Sequence, residues 1–569
     1  MRQSRDSINS LLDRFENKEI RLPELQRKYV WKKTQIKHLL DSIYKDYPTG
    51  SILLWETDKE VVERDSAVTL QTKSESSNKS LLLDGQQRLT SLLAVLNGNP
   101  VKVRKSRGKT SEEKIELYFN LDHPDSVIKF GGDISDDDDD DLELVQDVEQ
   151  EWFQLKTKKL LNKQNWVSVT EVCNNAEYEA NLSEKFKENP NHLKYVRRLI
   201  KLKDLGKNYS FPVVTLGKDL SYEEVTDVFI RVNSSGTKLN SSDLALAQIT
   251  SRWENSLNTF QAFADQCSEK NYDISVNDLV RMLVAISTAQ SKFKIISSIP
   301  IESIKSAWDD TKNAIHLTIN FLKGNGQIES MDAIKSFYPL VPIGCIFHKM
   351  KHELSEKQAK LLLKWFFAAV IWSRYSVSVE TTLDVDLSII KKNDDYIEKM
   401  LDNISSDRGG NLDVKESDLV GADVRSPFFI MTYVLARLNH AKDWRTGTEF
   451  SLESSGIGFQ NEIDHIFPKA VLQEHLMKKY DNDSSQVKKL VNDIGNMAFL
   501  SKVSNIKKGK TPPDEYFPPI IQRHGDEILK AQHISTDSSL WVLDRYEDFL
   551  KDRRQKIADA INDLMNSLG

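Results

Sequence analysis

NEIDHIFPK, residues 461–469, sets Asp464 beside His465 and follows them with an apolar pair and Pro468. A strand end accounts for Ile466, Phe467 and the proline. It does not call for a carboxylate and an imidazole side by side. Hydrolysis of a phosphodiester does: it needs a base to activate water and a cation to offset charge on the phosphate and leaving oxygen. An imidazole is a base near neutral pH. A carboxylate oxygen is a hard ligand suited to Mg²⁺ or Mn²⁺. Neighbours on a strand point to opposite faces and can diverge around one site at its end, so a further ligand has to come from elsewhere.

Downstream, NDIGNMAFLSKVSNIKKGKTPPDEYF (492–517) reads as a turn, a short strand from Met497 to Leu500, and a helix starting near Val503 that stops before Pro512 and Pro513. Strand, loop, strand, helix is a ββα unit. Asn505 falls early on that helix, where its side chain can reach back to a metal. Lys507, Lys508 and Lys510 beside it can meet phosphates.

The rest of the chain bounds the answer. With 569 residues it is long enough for several domains. No apolar run approaches the roughly 20 residues of a membrane span. The first residues, MRQSRDSINS, lack a signal-peptide core. The three cysteines, Cys173, Cys267 and Cys345, are far apart and form no CxxC pair, which disfavours a zinc or disulfide framework and fits a reducing cytosol. A net charge of −7 does not advertise nucleic-acid binding, but local patches set phosphate affinity. The aspartates 136–141 read as a solvated, self-repelling loop.

A second sharp feature is LLLDGQQRLTSLL (81–93). An apolar strand delivers Asp84 and Gly85 to the mouth of a helix. Glycine permits close backbone approach, the helix start offers unpaired N–H groups to an anion, and Arg88 one turn in can add a two-pronged phosphate contact. Strands are predicted at 51–56, 80–84 and 211–216, and helices at 31–47, 87–98, 221–236 and 240–253. Residues 254–450 are mainly helical by period, with aromatic-rich stretches such as 361–375 read as core. NISSDRGGNLD (403–413) is the best linker candidate, and 530–569 reads as an amphipathic helix.

DHIFP followed by GNMAFLSKVSNIKKGK resembles an HNH (ββα-metal) endonuclease motif. By that resemblance Asp464 matches the metal-binding acid, His465 the general base, Asn496 the middle Asn that braces the loop, and Asn505 the final metal ligand. The DGQQR stretch, with RLPELQRKYVW (21–31) before it and FIRVNSSGTKLNSSDL (229–244) after it, resembles the N-terminal domain of the GmrSD family, type IV restriction endonucleases and related anti-phage nucleases. That family carries its HNH unit at the C-terminal end, in the same order as here.

The resemblance implies an α+β multidomain chain. Residues 1–253 form a ParB/sulfiredoxin-like α/β domain that binds nucleotide and senses DNA, 254–410 a helical connecting region, and 411–569 a mostly helical domain with the HNH endonuclease unit. It implies a nucleotide site of Asp84, Gly85, Gln86, Gln87 and Arg88, approached by Gln26 and Arg27 and closed by Arg231, Asn233, Gly236 and Thr237. Turn and capping chemistry explains that last group as well. Tyr29 and Trp31 are candidates for stacking on a flipped or modified base, with core packing as the alternative.

The expected activity is Mg²⁺- or Mn²⁺-dependent cleavage of double-stranded DNA in cytoplasmic anti-phage defence. Modified phage DNA is the expected target, and binding and hydrolysis of a nucleoside triphosphate accompany the cutting. GTP, UTP, CTP and ATP are not distinguished, and homo-oligomerisation stays open. The alternative is a nucleotide-switched DNA-binding protein without significant nuclease activity.

Overall fold

The computed structural model describes residues 1–23, 29, 31–58, 63–64, 66, 80–104, 110–124, 151–234, 241–334, 336–351, 354–450, 461–481 and 483–569. Gln26, Arg27, Gly236, Thr237 and the aspartates 136–141 lie outside the described residues, as does the side chain of Asn233. The architecture is mixed α+β, and the chain divides into two compact units, Met1–Thr259 and Phe260–Gly569.

The first unit is built on a six-stranded mixed sheet in the order Arg2–Ser7, Ser210–Leu216, Ile52–Glu56, Ser80–Asp84, Ile20–Pro23, Glu63–Arg64. Its central strands read ILLWE and SLLLD because both faces are covered. Ile52, Leu54 and Leu82 pack with the helices Ile8–Glu16 and Lys33–Tyr44. Leu53, Trp55, Leu81 and Leu83 pack on the other face with Val225, Phe229 and Ala247. The period-two alternation of strand side chains assigns each residue to its layer. Each such buried side chain stabilises the unit by roughly 1.5–3 kcal/mol.

Asp84 is the last residue of its strand, and Gly85 turns the chain into the helix Gln86–Leu92, which closes with a π-helical turn, Leu93–Asn97. Gly85 has φ +104°, and a Cβ there would stand 2.4 Å from Ile52 Cδ1. The turn therefore needs glycine on two counts. Gly98, φ +77°, ends the segment.

The second unit is largely helical. As the aromatic pattern predicts, the helix Glu356–Ile371 buries Leu362, Trp365, Phe366 and Phe367. A two-stranded antiparallel sheet pairs Asn461–His465 with Met497–Ser501, placing Asp464 opposite Ala498 and His465 opposite Met497. The helix Lys502–Lys508 follows at once, capped by the Ser501 hydroxyl on the Ser504 N–H. Between the two strands lie the helices Lys469–Lys479 and Ser484–Val491. Phe467, Phe517, Trp541, Tyr546 and Phe549 form the core beneath.

Two expectations change. The supposed linker at 403–413 begins inside the helix Tyr396–Asp407, because Met400 and Ile404 are buried; only Gly409 and Gly410 beyond it take positive φ. The last helix runs over Tyr546–Ser567 rather than from residue 530. Upstream of it the chain forms short turns, fixed where the buried Trp541 indole donates to the Ser535 carbonyl at 2.9 Å.

Candidate active site

The helix bearing Asn505 lies against the strand bearing Asp464. On a helix, residues three apart share a face; on a strand, residues two apart do. Asn505 and Lys508 form such a helical pair, and Glu462 and Asp464 such a strand pair, and the two pairs meet. Asn505 Nδ2 donates to Glu462 Oε2 at 2.9 Å. The Lys508 ammonium pairs with Asp464 Oδ2 and donates to the His465 carbonyl. Lys508 is thus buried within the site, where burial pushes its pKa down and the Asp464 charge works against that. Lys507 and Lys510 are exposed.

Two carboxylates and one amide oxygen are hard donors, and on chemical grounds they suit a divalent cation such as Mg²⁺ or Mn²⁺. Among the described residues no three His, Cys, Asp or Glu side chains converge as a metal cluster, so the amide has to complete the set.

His465 lies at the end of the strand. Its Nε2 sits 3.0 Å from Asn492 Oδ1, and Asn492 Nδ2 donates to the Lys488 carbonyl at 3.0 Å. With the amide N–H spent on that carbonyl, Oδ1 is the acceptor. The imidazole therefore carries its proton on Nε2 and leaves the Nδ1 lone pair for chemistry. Burial lowers the His465 pKa, with help from the Lys469 and Lys508 charges and against the Asn492 bond and the Asp464 charge. The ring is neutral at pH 7, as a base must be.

Asn496 is fully buried and ties the turn after the strand. Its Oδ1 accepts from the Phe467 N–H at 2.9 Å, its Nδ2 donates to the Val491 carbonyl at 2.9 Å, and its own carbonyl accepts from the Ile466 N–H at 2.7 Å. Asp443, also buried, anchors the start of the Asn505 helix. It accepts from the Ser501 N–H at 2.9 Å, the Ser504 hydroxyl at 2.7 Å and the Thr446 N–H at 2.9 Å. Burial alone would raise its pKa; these bonds overcome that and hold it below the usual carboxylate range.

At the DGQQR turn, Arg88 Nη2 pairs with Asp84 Oδ2 at 2.8 Å and Nη1 donates to the Thr49 carbonyl at 2.8 Å. Gly50, φ +92°, makes room for it: a Cβ there would lie 2.3 Å from Nη1. Gln87 Oε1 accepts from the Trp31 N–H at 3.3 Å, and the Tyr29 hydroxyl lies 2.8 Å from Ser91 Oγ. Both aromatic rings pack partly buried against the first core, and burial pushes the Tyr29 phenol up to about 12. Gln86 Oε1 is buried with no hydrogen-bond partner among the described residues. Arg231 stands exposed on the helix Tyr222–Ser234, paired with Asp227 at 2.8 Å. Asp84, Gly85, Gln86, Gln87, Arg88, Tyr29 and Trp31 are thus brought together.

The GmrSD restriction endonuclease N-terminal domain matches residues 8–250, and the GmrSD restriction endonuclease C-terminal domain matches residues 411–560. Together they span most of the chain. The chain belongs to the GmrSD restriction endonuclease family. A restriction endonuclease acts on DNA, so this GmrSD chain has a site to carry, and the C-terminal match contains Asp464, His465, Asn496 and Asn505. The chain is also similar to the uncharacterized protein MJ0686 of Methanocaldococcus jannaschii, 23% identical over 95% of this chain and 90% of that one. No helix among the described residues is long and apolar enough to cross a membrane.

Sequence reasoning missed Glu462, Asn492, Asp443 and the inward turn of Lys508. Two of these had a signal. Glu462 is two residues from Asp464 on a strand, and Lys508 three residues from Asn505 on a helix. Asn492 and Asp443 act across the fold and had none. The larger groove of this unit, about 720 Å³ beside the Phe429–Leu438 and Tyr546–Ser567 helices, has none of these residues in its lining.

Proposed function

We propose that this GmrSD chain is an HNH-type, divalent-metal-dependent DNA endonuclease whose first unit binds, and hydrolyses, a nucleoside triphosphate. The observation that carries the reading is His465, a neutral imidazole held in one tautomer at the strand end beside the oxygen donors Asp464, Glu462 and Asn505. His465 Nδ1 takes the proton of the attacking water, and Asn492 steadies the opposite ring edge. Asn496 keeps the turn after the strand in place. Asp464, Asn505 and Glu462 would hold a Mg²⁺ or Mn²⁺ ion, which when bound supplies positive charge to the phosphate and the leaving oxygen.

The first unit supports a nucleotide site through Gly85 at a helix entry and the buried, unpartnered Gln86 amide oxygen. Arg88 already serves Asp84 and Thr49, so its contribution is to shape the turn as well as to add charge. Anti-phage defence and modified DNA are the biological context we assign. The test is cleavage of a panel of modified and unmodified duplexes, with Mg²⁺ or Mn²⁺ and with each nucleoside triphosphate present or absent. Metal-dependent cutting that His465→Ala abolishes is expected. Cutting that persists in chelator, or that ignores His465, overturns the reading.

A further inference from the structure

Behind Lys508 lies a cavity that this chemistry leaves unused. It measures about 280 Å³ and shares the Lys508 side chain with the Asp464 site. Its wall includes Trp444 and Tyr516, stacked with ring centroids 5.8 Å apart and planes at 24°. Around it stand three exposed cations, Arg445, Lys507 and Arg523, and no carboxylate is among the lining residues. None of the three is ion-paired among the described residues. Asp443, immediately before Trp444, ties this wall to Ser501 and Ser504, so cavity and Asn505 helix share one anchor.

The second observation concerns Trp444. Its side chain is 3% exposed, and its indole N–H has no hydrogen-bond partner among the described residues. A buried donor without an acceptor costs stability, and on a cavity wall an acceptor arriving with a ligand explains it. The ligand chemistry is therefore specified on three sides: ring surface for a flat group, an acceptor for one N–H, and negative charge for the rim. A lone phosphate would leave the aromatic wall unused. A nucleotide meets all three.

We infer that this cavity receives one nucleotide of the DNA strand being cut. Its base turns out of the duplex against Trp444 and Tyr516, and its flanking phosphates lie on Arg445, Lys507 and Arg523. The inference rests on the nuclease reading of the adjoining site. A free nucleoside triphosphate has the same chemistry, and the experiment separates the two sources.

The full chain carrying His465→Ala binds, without cutting, a duplex that the parent cuts. Single 5-iodouracil bases are placed at successive positions around the mapped cut, the complex is irradiated, and the cross-linked peptide is identified by mass spectrometry. The expected result is a cross-link to Trp444 or Tyr516 from one position beside the cut, undiminished by excess free nucleoside triphosphate. Arg445→Ala and Arg523→Ala in the same background should each weaken binding about 5- to 10-fold and reduce the salt slope by about one.

Bound DNA that cross-links only elsewhere overturns the inference and leaves the nuclease reading intact. Loss of the cross-link to free nucleotide also overturns it, in favour of an effector site. If the parent neither binds nor cuts DNA, the nuclease reading fails and this inference falls with it.

Discussion

Asp84 and Asp464 stand at the ends of strands in different units, and each is paired with a cation on a helix that follows a strand. The likeness stops at what holds the cation. Arg88 has two fixed acceptors, a carboxylate and the Thr49 carbonyl, and a berth that only glycine at position 50 allows. Its guanidinium is a rigid fork that stays charged at any physiological pH. Lys508 is a point charge on a flexible stem, disfavoured by burial, on a carboxylate that also belongs to a set of oxygen donors. The same ion pair is therefore structural at the first site and exchangeable at the second, where an incoming metal ion competes with an ammonium for Asp464.

The sharpest way to break this comparison is at the base. His465→Ala should lower plasmid cleavage by about 10²–10⁴-fold while the thermal transition of the second unit is kept. Parent-level cutting would remove the reason for treating Asp464 as catalytic at all.

Next in size, Arg88→Ala should cost the first unit about 3 kcal/mol, the scale of breaking a mostly buried pair. Arg88→Lys should recover less than half, because one ammonium cannot serve both Asp84 and Thr49. Hydrogen exchange within Met1–Thr259 reads this unit alone. Parent-like protection with lost nucleotide binding would make Arg88 a ligand-binding fork instead. Assaying both activities in Arg88→Ala and His465→Ala then tests whether the units are coupled. Cutting unchanged at every nucleotide concentration means they are not.

A smaller effect separates ligand from competitor. Asn505→Ala should raise the Mn²⁺ concentration for half-saturation by about 10-fold or more. Lys508→Ala should lower it by removing the resident cation. Calorimetric titration without DNA checks both. If Lys508→Ala demands more metal, the exchange picture is wrong.

The smallest effect lies outside both sites. Burial, Arg553 and Lys556 push the His533 pKa down to about 4, below its unfolded value. The unfolded chain then binds the extra proton first. The stability His533 contributes is complete above about pH 6.5 and lost as pH falls toward 4, roughly 1–2 kcal/mol between pH 7 and 5. His533→Asn, which tolerates the local φ of +57°, should flatten that limb in urea titrations.

Much of this was legible in the chain. ILLWE and SLLLD are apolar on both sides because both faces are buried, and the DH pair at a strand end with Asn505 early on a helix announces its chemistry by residue type. What the sequence hid is what depends on closure in three dimensions. His465 meets Asn492 only because two helices return the chain to the strand. Asp443 reaches Ser501 and Ser504 across a segment with no period linking them. Polar residues and two glycines made 403–413 look like a linker, although Ile404 had a core to join.

One contact set described only in part bears on when such an enzyme exists. The turn holding Asn496 is gripped from the Tyr546–Ser567 helix, where Arg553 donates to the Gly495 carbonyl at 2.9 Å and Arg554 pairs with Asp493 at 2.8 Å. Chains leave the ribosome amino end first, at about 5–20 residues per second. Asp464 and His465 therefore emerge, and wait, before the segment that secures their turn is made. For that interval the nascent chain can display a folded first unit without a finished blade, and a message broken before Arg553 yields no cutter.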